Sequence, residues 1–281
     1  MIDIQNTLQE AATSLTESSD SAWLDAEVLL CHVLDKPRSH LRAWPEKLLS
    51  KQQHTQFSTL LELRQQGAPI AYLTGSKEFW SRDFKVSSEV LIPRPDTELL
   101  IELSLALLAD SPNAHIIDLG TGSGIIAVTL AAERPDLTVL ATDFSLTALE
   151  IAKHNSNVHQ TQSVQFIHSN WFANIPHAKF DLVISNPPYI AGNDIHLSQG
   201  DVRYEPNSAL IADDLGLKDI KNIADNARHY LNKNGSLLIE HGYDQQNAVQ
   251  DIFHSFEYKQ IKTHYDLSGN PRVTTAQWSA E

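Results

Sequence analysis

From residue 115 onward, short apolar runs alternate with segments of helical periodicity, and this alternation restricts the possible folds more than any other feature of the chain. The runs are typical of buried strands, and five of them occupy residues 115–119, 139–143, 164–167, 180–184 and 236–240. Segments 258–263 and 272–278 are predicted to pair as the last strands. Such an alternation favours an α/β fold with a doubly wound, mostly parallel sheet and helices on both faces.

The first 75 residues carry helical periodicity and no strand signal. We predict three helices there, with inward faces made of Ile4, Leu8 and Leu15, then Leu24, Val28, Leu29 and Val33, then Phe57, Leu60 and Leu61. Residues 76–95 change to strand-like alternation, including a strand-like run at 90–92. We therefore expect a small helical domain at 1–75, a β-hairpin connector at 76–95 and a catalytic α/β domain at 96–281.

The 281-residue chain has 21 Lys and Arg against 35 Asp and Glu, which gives a formal net charge of −14. This balance argues against non-specific binding to duplex nucleic acid, because such binding needs a basic face. The one cysteine, Cys31, excludes an internal disulfide and is typical of a reducing compartment. Residues 1–5 lack a basic flank, and no apolar run approaches about 20 residues, so we expect no signal peptide, no membrane span and a cytoplasmic location.

The stretch Asn186-Pro187-Pro188-Tyr189 follows the apolar run at 180–184. Its two prolines end that strand with φ at about −65°, and Asn186 is held extended because a proline follows it. The stretch is therefore a stiff corner at the carboxyl end of a strand, where open α/β sheets bind ligands. Two acceptors, the Asn186 side-chain oxygen and a proline carbonyl, with the Tyr189 ring, suit a planar group that carries an NH2. The alternative is a turn that only ends the strand.

A glycine-rich turn between the first of these strands and the next helix predicts a nucleotide-type ligand. It consists of Gly120, Thr121, Gly122, Ser123 and Gly124. Glycine lets the backbone turn sharply and lie close to a ligand. The spacing is G-x-G-x-G, with Ile125 where the dinucleotide fingerprint has its third glycine, and no P-loop lysine follows.

Other candidates for the same site each have a plain structural alternative. Asp143, at the end of the second strand, can accept hydrogen bonds from both hydroxyls of a ribose or cap the helix that follows. Trp171, with Asn170 before it, can flank an adenine or simply pack. Asp118 can hold the glycine turn or approach a cationic ligand. The proline-rich segment 92–98 is either a linker or a loop over the cofactor.

Segments 118–124 and 186–189 together resemble the Class I S-adenosylmethionine (SAM)-dependent methyltransferases, and the second is similar to the motif of enzymes that methylate amino groups. The remaining chain is similar to one family among them, the peptide chain release factor glutamine methyltransferases (PrmC/HemK family). The likeness runs through the helical N-terminus and through residues 67–75, 78–80, 91–98, 205–210 and 240–246.

This resemblance implies transfer of a methyl group from SAM to the side-chain amide nitrogen (N5) of the glutamine in the Gly-Gly-Gln motif of class 1 release factors, with S-adenosyl-L-homocysteine as the other product. Cofactor contacts would come from the glycine turn, Asp143, Trp171 and Asn186. Substrate contacts would come from Asn186, Pro187, Pro188 and Tyr189, of which Asn186, Pro187 and Tyr189 would be catalytic. The helical domain would bind the release factor, and we expect a monomer that modulates translation termination without a metal ion or direct nucleic-acid contact.

Three positions depart from the family pattern. Ser81 stands where a glycine commonly follows the Phe-Trp pair, and Asn170 stands where aspartate is usual before the tryptophan. Asn270-Pro271 stands where a charged pair is expected. These departures affect individual contacts and not the class of enzyme.

Three rival functions make different demands on the chain. A DNA adenine methyltransferase shares the motif at 186–189 but needs a basic face and a target-recognition domain. A nicotinamide-dependent oxidoreductase needs the fingerprint glycine that Ile125 replaces. A non-catalytic scaffold for a translation factor would bind SAM without turnover.

Overall fold

The helical periodicity of the N-terminal residues produces five helices in the computed structural model, which describes residues 2–176 and 178–279. They are α1 (Ile4–Leu15), α2 (Ala22–Leu34), α3 (Arg38–Ala43), α4 (Lys51–Gln65) and α5 (Ile70–Thr74). Together with Ser198–Tyr204 they form the first of two compact units, and the second comprises Lys77–Leu197 and the chain from Glu205 onward. The predicted domain ends at residues 1 and 281 lie outside the described residues.

The predicted helices correspond to α1, α2 and α4, but the inward face predicted for α2 is partly wrong. Leu24 is exposed, while the carboxylates of Asp25 and Glu27 are buried. They lie inward because each meets an arginine: Arg64 Nε lies 2.7 Å from Asp25, and Arg38 pairs with Glu27. The predicted core positions that are buried in these helices are Ile4, Leu8, Leu15, Leu29 and Phe57.

A segment from far along the chain, Ser198–Tyr204, packs within this first unit. The Tyr204 hydroxyl donates a hydrogen bond to the Gln66 carbonyl at 2.5 Å. Arg64 Nη1 lies 3.6 Å from Asp201 Oδ1, so the guanidinium lies between Asp201 and Asp25. No sequence pattern predicted that this segment would join the helices.

The strand-like alternation after residue 75 gives a hairpin of β1 (Ser76–Phe79) and β2 (Arg82–Lys85). Its turn residues Trp80 and Ser81 have φ of 53° and 57°, the left-handed geometry of a primed hairpin turn. Glycine adopts this geometry without strain, whereas Ser81 adopts it at a cost of roughly 1 kcal/mol. The run at 90–92, predicted as a strand, is irregular because Pro93 and Pro95 follow it and no partner strand pairs with it in the described chain.

The second unit continues with α6 (Glu98–Leu107) and then the alternating elements. The strands are β3 (His115–Leu119), β4 (Thr138–Asp143), β5 (Gln165–His168), β6 (Phe180–Ser185), β7 (Ile190–Ala191), β8 (Ile211–Ala212), β9 (Leu231–Glu240), β10 (Lys259–Tyr265) and β11 (Pro271–Gln277). The helices are α7 (Ile125–Glu133), α8 (Leu146–Val158), α9 (Asn207–Leu210), α10 (Asp213–Gly216), α11 (Lys218–Ala227) and α12 (Gln246–Ser255).

Seven of these strands form one sheet in the order β10-β11-β9-β6-β3-β4-β5. The five from β9 to β5 are parallel, and β11 and β10 are added antiparallel. Alternate residues of the strands enter separate cores, one with α6 and α7 and the other with α11 and α12. The predicted doubly wound, mostly parallel α/β fold is therefore confirmed.

The chain order places a topological switch between β3 and β6, because β4 and β5 extend the sheet on one side before β6 returns to the other. In such sheets the carboxyl ends beside the switch form the ligand crevice. Across residues 2–176 and 178–279, every helix is too short or too polar to cross a membrane.

Candidate active site

The two motifs predicted for the site emerge side by side at the switch. Leu119 at the end of β3 is in register with Ser185 at the end of β6, so Gly120 and Asn186 are the next residues on adjacent strands. A cleft of about 830 Å³, including the part open to solvent, lies there. Its lining includes the predicted Gly120, Thr121, Gly122, Ser123, Asp143, Trp171, Asn186 and Pro188.

The glycine turn is held by hydrogen bonds to buried neighbours. Thr121 donates its N–H to the Thr142 carbonyl at 2.8 Å and its hydroxyl to Asp118 Oδ2 at 2.6 Å. Asp118 Oδ2 also accepts the Ala127 N–H at 3.3 Å, at the start of α7. Burial raises the pKa of Asp118 to about 7. Of the two roles considered for Asp118, these contacts are those of a residue that holds the turn.

Asp143 connects the second strand to the glycine turn. Its Oδ2 accepts the Gly122 N–H at 2.9 Å, and its Oδ1 accepts the Ser145 N–H at 2.8 Å. Ser145, not Asp143, caps α8, because its hydroxyl accepts the Ala148 N–H at 3.2 Å. Burial raises the pKa of Asp143, and the backbone N–H groups oppose that shift. Since a carboxylate has about four acceptor positions, Asp143 keeps acceptor capacity towards the cleft that it lines.

Trp171 both packs and lines the cleft. Its indole N–H donates to Asp219 Oδ1 at 3.1 Å. The ring lies against Gly120, where an added Cβ would be 3.3 Å from the indole Cζ3. An adjoining pocket lies between Trp171 and the exposed ring of Phe144, and Asn170 is part of its lining.

The four residues of the asparagine-proline corner, 186–189, differ in whether they line the cleft. Asn186 Nδ2 donates to Thr97 Oγ1 at 3.2 Å, and no described residue donates to its Oδ1. Pro188 lines the cleft together with Asn186, while Pro187 is buried and absent from the lining. Tyr189 packs against the core that contains α11 and α12, and burial raises its pKa.

Several cleft residues were not singled out from the sequence as site residues. The segment at 92–98 lines the cleft through Pro93, Arg94 and Thr97, so it is more than a linker. Buried Glu205 holds this segment by pairing with Arg94 and accepting the Ile92 N–H at 3.2 Å. The prolines of 92–98 gave the alternative of a loop over the cofactor, and for 205–210 the only signal was its likeness to the family.

Comparison with known proteins identifies both parts of the chain. Residues 96–201 match the methyltransferase small domain, and residues 6–75 match the PrmC N-terminal domain. A release factor glutamine methyltransferase of Aliivibrio fischeri is 48% identical over 99% of this chain and 98% of its own length. One of Vibrio cholerae is 47% identical over 100% of this chain and 98% of its own.

The chain belongs to the release factor glutamine methyltransferase family.

The fold of this methyltransferase is shared with proteins of much lower identity. The Thermus thermophilus 16S rRNA N2 G1207 methyltransferase, solved with AdoMet and guanosine, has a TM-score of 0.52 and 16% identity over 72% of this chain and 49% of its own. At that identity the likeness shows the fold alone.

The methyl donor of this methyltransferase is S-adenosyl-L-methionine. The cleft fits it on chemical grounds. A Cβ added at Gly122 would meet no heavy atom within 4 Å, so the turn leaves space for a ligand to approach the backbone. Asp143 keeps acceptor positions for ribose hydroxyls, and the pocket between Trp171 and Phe144 has the aromatic walls that suit a planar base.

Proposed function

We propose that this chain transfers the methyl group of SAM to the side-chain amide nitrogen, N5, of the glutamine in the Gly-Gly-Gln motif of class 1 peptide chain release factors, and so modulates translation termination. The observation that carries the proposal is the position of Asn186. It lies beside Gly120 at the switch point, with its nitrogen donating to Thr97 and its oxygen left to accept a hydrogen bond.

An amide nitrogen is a poor nucleophile, because its lone pair is delocalised into the carbonyl. The sulfonium of SAM supplies a methyl group that is already a good electrophile, so the protein mainly has to align the reactants. Holding the amide nitrogen at about 3 Å from the carbon it attacks, in line with the leaving group, contributes several kcal/mol.

Asn186 Oδ1 and the Pro187 carbonyl would accept the two hydrogens of the substrate amide. These two bonds fix the rotation of the amide group and stabilise the positive charge that develops on its nitrogen. Tyr189 would pack on the amide plane and exclude water. The product proton is acidic enough to leave to solvent, so the arrangement needs no general base.

Further parts of the proposal concern the whole protein. We assign cofactor binding to Gly120, Thr121, Gly122, Ser123, Gly124, Asp143, Trp171 and Asn186, and glutamine binding to Asn186, Pro187, Pro188 and Tyr189. The helical domain at 1–75 would bind the release factor, with 76–95 as connector and 96–281 as the methyltransferase domain. The net charge of −14 supports a protein substrate over nucleic acid, and we infer a cytoplasmic monomer.

The substrate is tested with tritiated SAM and purified class 1 release factors. We expect label in the intact factor and none in a factor whose Gly-Gly-Gln glutamine is replaced by alanine. Duplex DNA serves as the alternative acceptor. Label in DNA, or SAM binding without transfer to any release factor, would contradict the proposal.

The role of Asn186 is tested with Asn186→Ala. We expect methyl transfer to fall on the order of 100-fold or more, since a hydrogen bond to the reacting group is lost. Asn157→Ala is the matched control, because Asn157 is exposed on α8. Near-normal transfer by Asn186→Ala would remove Asn186 from the mechanism.

A further inference from the structure

A buried carboxyl group lies behind the asparagine-proline corner and is not explained by the fold. Glu240 ends β9, and Ser185 of β6 is in register with Ile239, so Glu240 is the strand neighbour of Asn186. It is 1% exposed, and its Oε2 accepts no hydrogen bond from the described residues. Burying a carboxyl group with an unpaired oxygen is costly, and such groups concentrate at functional sites.

The nearest cation does not neutralise Glu240 by direct contact. Arg272 instead contacts two other carboxylates, with Nη2 3.1 Å from Asp96 and Nε 3.2 Å from Asp266. Burial raises the pKa of Glu240 to about 7, and Thr97, the charge of Arg272 and Asn186 oppose this shift. Asn186 adjoins Glu240 through the strand register, and Thr97 adjoins Asn186 through the hydrogen bond that Asn186 Nδ2 donates to its hydroxyl oxygen.

The side chains of Thr97 and Glu240 determine which end of the Asn186 amide faces which group. Asn186 Nδ2 donates to Thr97 Oγ1, and fully buried Thr97 is fixed at the end of the 3-10 turn Pro95–Thr97. If the amide were rotated by 180°, its oxygen would lie on the side of Glu240, and two acceptors would oppose each other whenever that carboxyl is ionised. Its nitrogen would then face the substrate NH2, and two donors would oppose each other.

We infer that Glu240 and Thr97 are positioning residues that hold the Asn186 amide with its nitrogen inward and its oxygen towards the substrate amide. The inference rests on the proposed function, because it assigns to these two residues the orientation that the reaction requires. Neither residue contacts the reacting atoms in this assignment, and both act through Asn186.

The test compares Glu240→Gln, Thr97→Val and Thr97→Ser in the full-length chain. An amide at 240 can donate as well as accept, so it no longer excludes the rotated Asn186. We expect kcat for release factor methylation to fall about tenfold or more in Glu240→Gln and Thr97→Val, while the Kd for SAM changes less than about twofold. Thr97→Ser keeps the hydroxyl and should restore most of the activity.

A double-mutant cycle separates positioning from a general structural effect. If Glu240 acts through Asn186, adding Glu240→Gln to Asn186→Ala should lower kcat no further. Fully additive losses, or a wild-type kcat in Glu240→Gln, would overturn the inference.

A failure of the proposed function would give different experimental results from a failure of this inference. Failure of the proposed function would appear as absent methylation by the unmodified protein or as normal methylation by Asn186→Ala. Circular dichroism and thermal unfolding of each variant identify any that does not fold. Thr97→Val keeps the shape of threonine without its hydroxyl and Thr97→Ser keeps the hydroxyl without the methyl group, so the two together separate packing from hydrogen bonding.

Discussion

Two glycines of the same turn should respond differently to alanine, and the difference follows from what surrounds them. Gly124 has φ of +85°, and a Cβ there would lie 3.0 Å from the Ala152 Cβ and 3.2 Å from the Ala152 Cα on α8. Gly122 has φ of +55°, and a Cβ there would meet no heavy atom within 4 Å. Both substitutions strain the backbone, but only Gly124→Ala also pushes α7 and α8 apart.

The expected loss in the free energy of unfolding is the sum of a backbone contribution and a packing contribution. Left-handed backbone costs an alanine roughly 1 kcal/mol, which is the whole effect expected for Gly122→Ala. Overpacking adds about 1–3 kcal/mol, so Gly124→Ala should lose about 2–4 kcal/mol in the free energy of unfolding. The methyl group of Gly122→Ala lies at the cleft, so this variant should lose affinity for SAM with little loss of stability.

Urea denaturation of the unliganded variants measures the first effect, and isothermal titration with SAM measures the second. Equal losses of stability in the two variants would refute the reasoning from packing. Unchanged SAM affinity in Gly122→Ala would refute the claim that the turn approaches the ligand closely.

Two other variants test the buried carboxyl and the hairpin. The pKa of Asp118 is raised to about 7 from 3.8, so the folded state holds a proton that the unfolded state loses between about pH 4 and 7, and the free energy of unfolding falls as pH rises through that window. Asp118→Asn should remove the part of this decrease that Asp118 causes, which is at most about 4 kcal/mol in the free energy of unfolding. Urea denaturation at about pH 4.5 and 7.5 measures it, and an unchanged pH dependence of stability would contradict the expectation. Ser81→Gly should raise the free energy of unfolding by about 0.5–1 kcal/mol, because Ser81 has φ of 57° in the hairpin turn; a loss of stability would contradict it.

Local signals in the sequence were sufficient to predict the sheet and the position of the cleft. The apolar runs predicted β3, β4, β5, β6 and β9, because buried parallel strands need apolar residues on both faces. The glycine turn and the asparagine-proline corner were predicted to lie at strand ends, and the register of Leu119 with Ser185 brings them together. These strands and turns are determined by residues close to one another in the sequence, so a single sequence is sufficient to predict them.

The parts that were not predicted depend on partners distant in the chain. The inward position of Asp25 follows from Arg64, 39 residues later, and hydropathy alone places Leu24 inward instead. The packing of 198–204 on the helices depends on single contacts such as Tyr204 to Gln66. Thr97 and Glu240 lie in segments that carry the family likeness, but no periodicity or spacing relates the two residues, and only the fold brings them to Asn186.

The register of β6 connects this fold to the proposed chemistry. The fully buried Ser185 hydroxyl donates to the Leu119 carbonyl at 2.7 Å and so fixes the end of β6 against β3. The next residue, Asn186, then lies between the glycine turn on one side and Glu240 on the other. Because side chains alternate between the two faces of a strand, a slip of one residue would turn Asn186 away from its neighbours. The orientation of one amide group, and with it methyl transfer, therefore depends on strand pairing that is complete before any ligand binds.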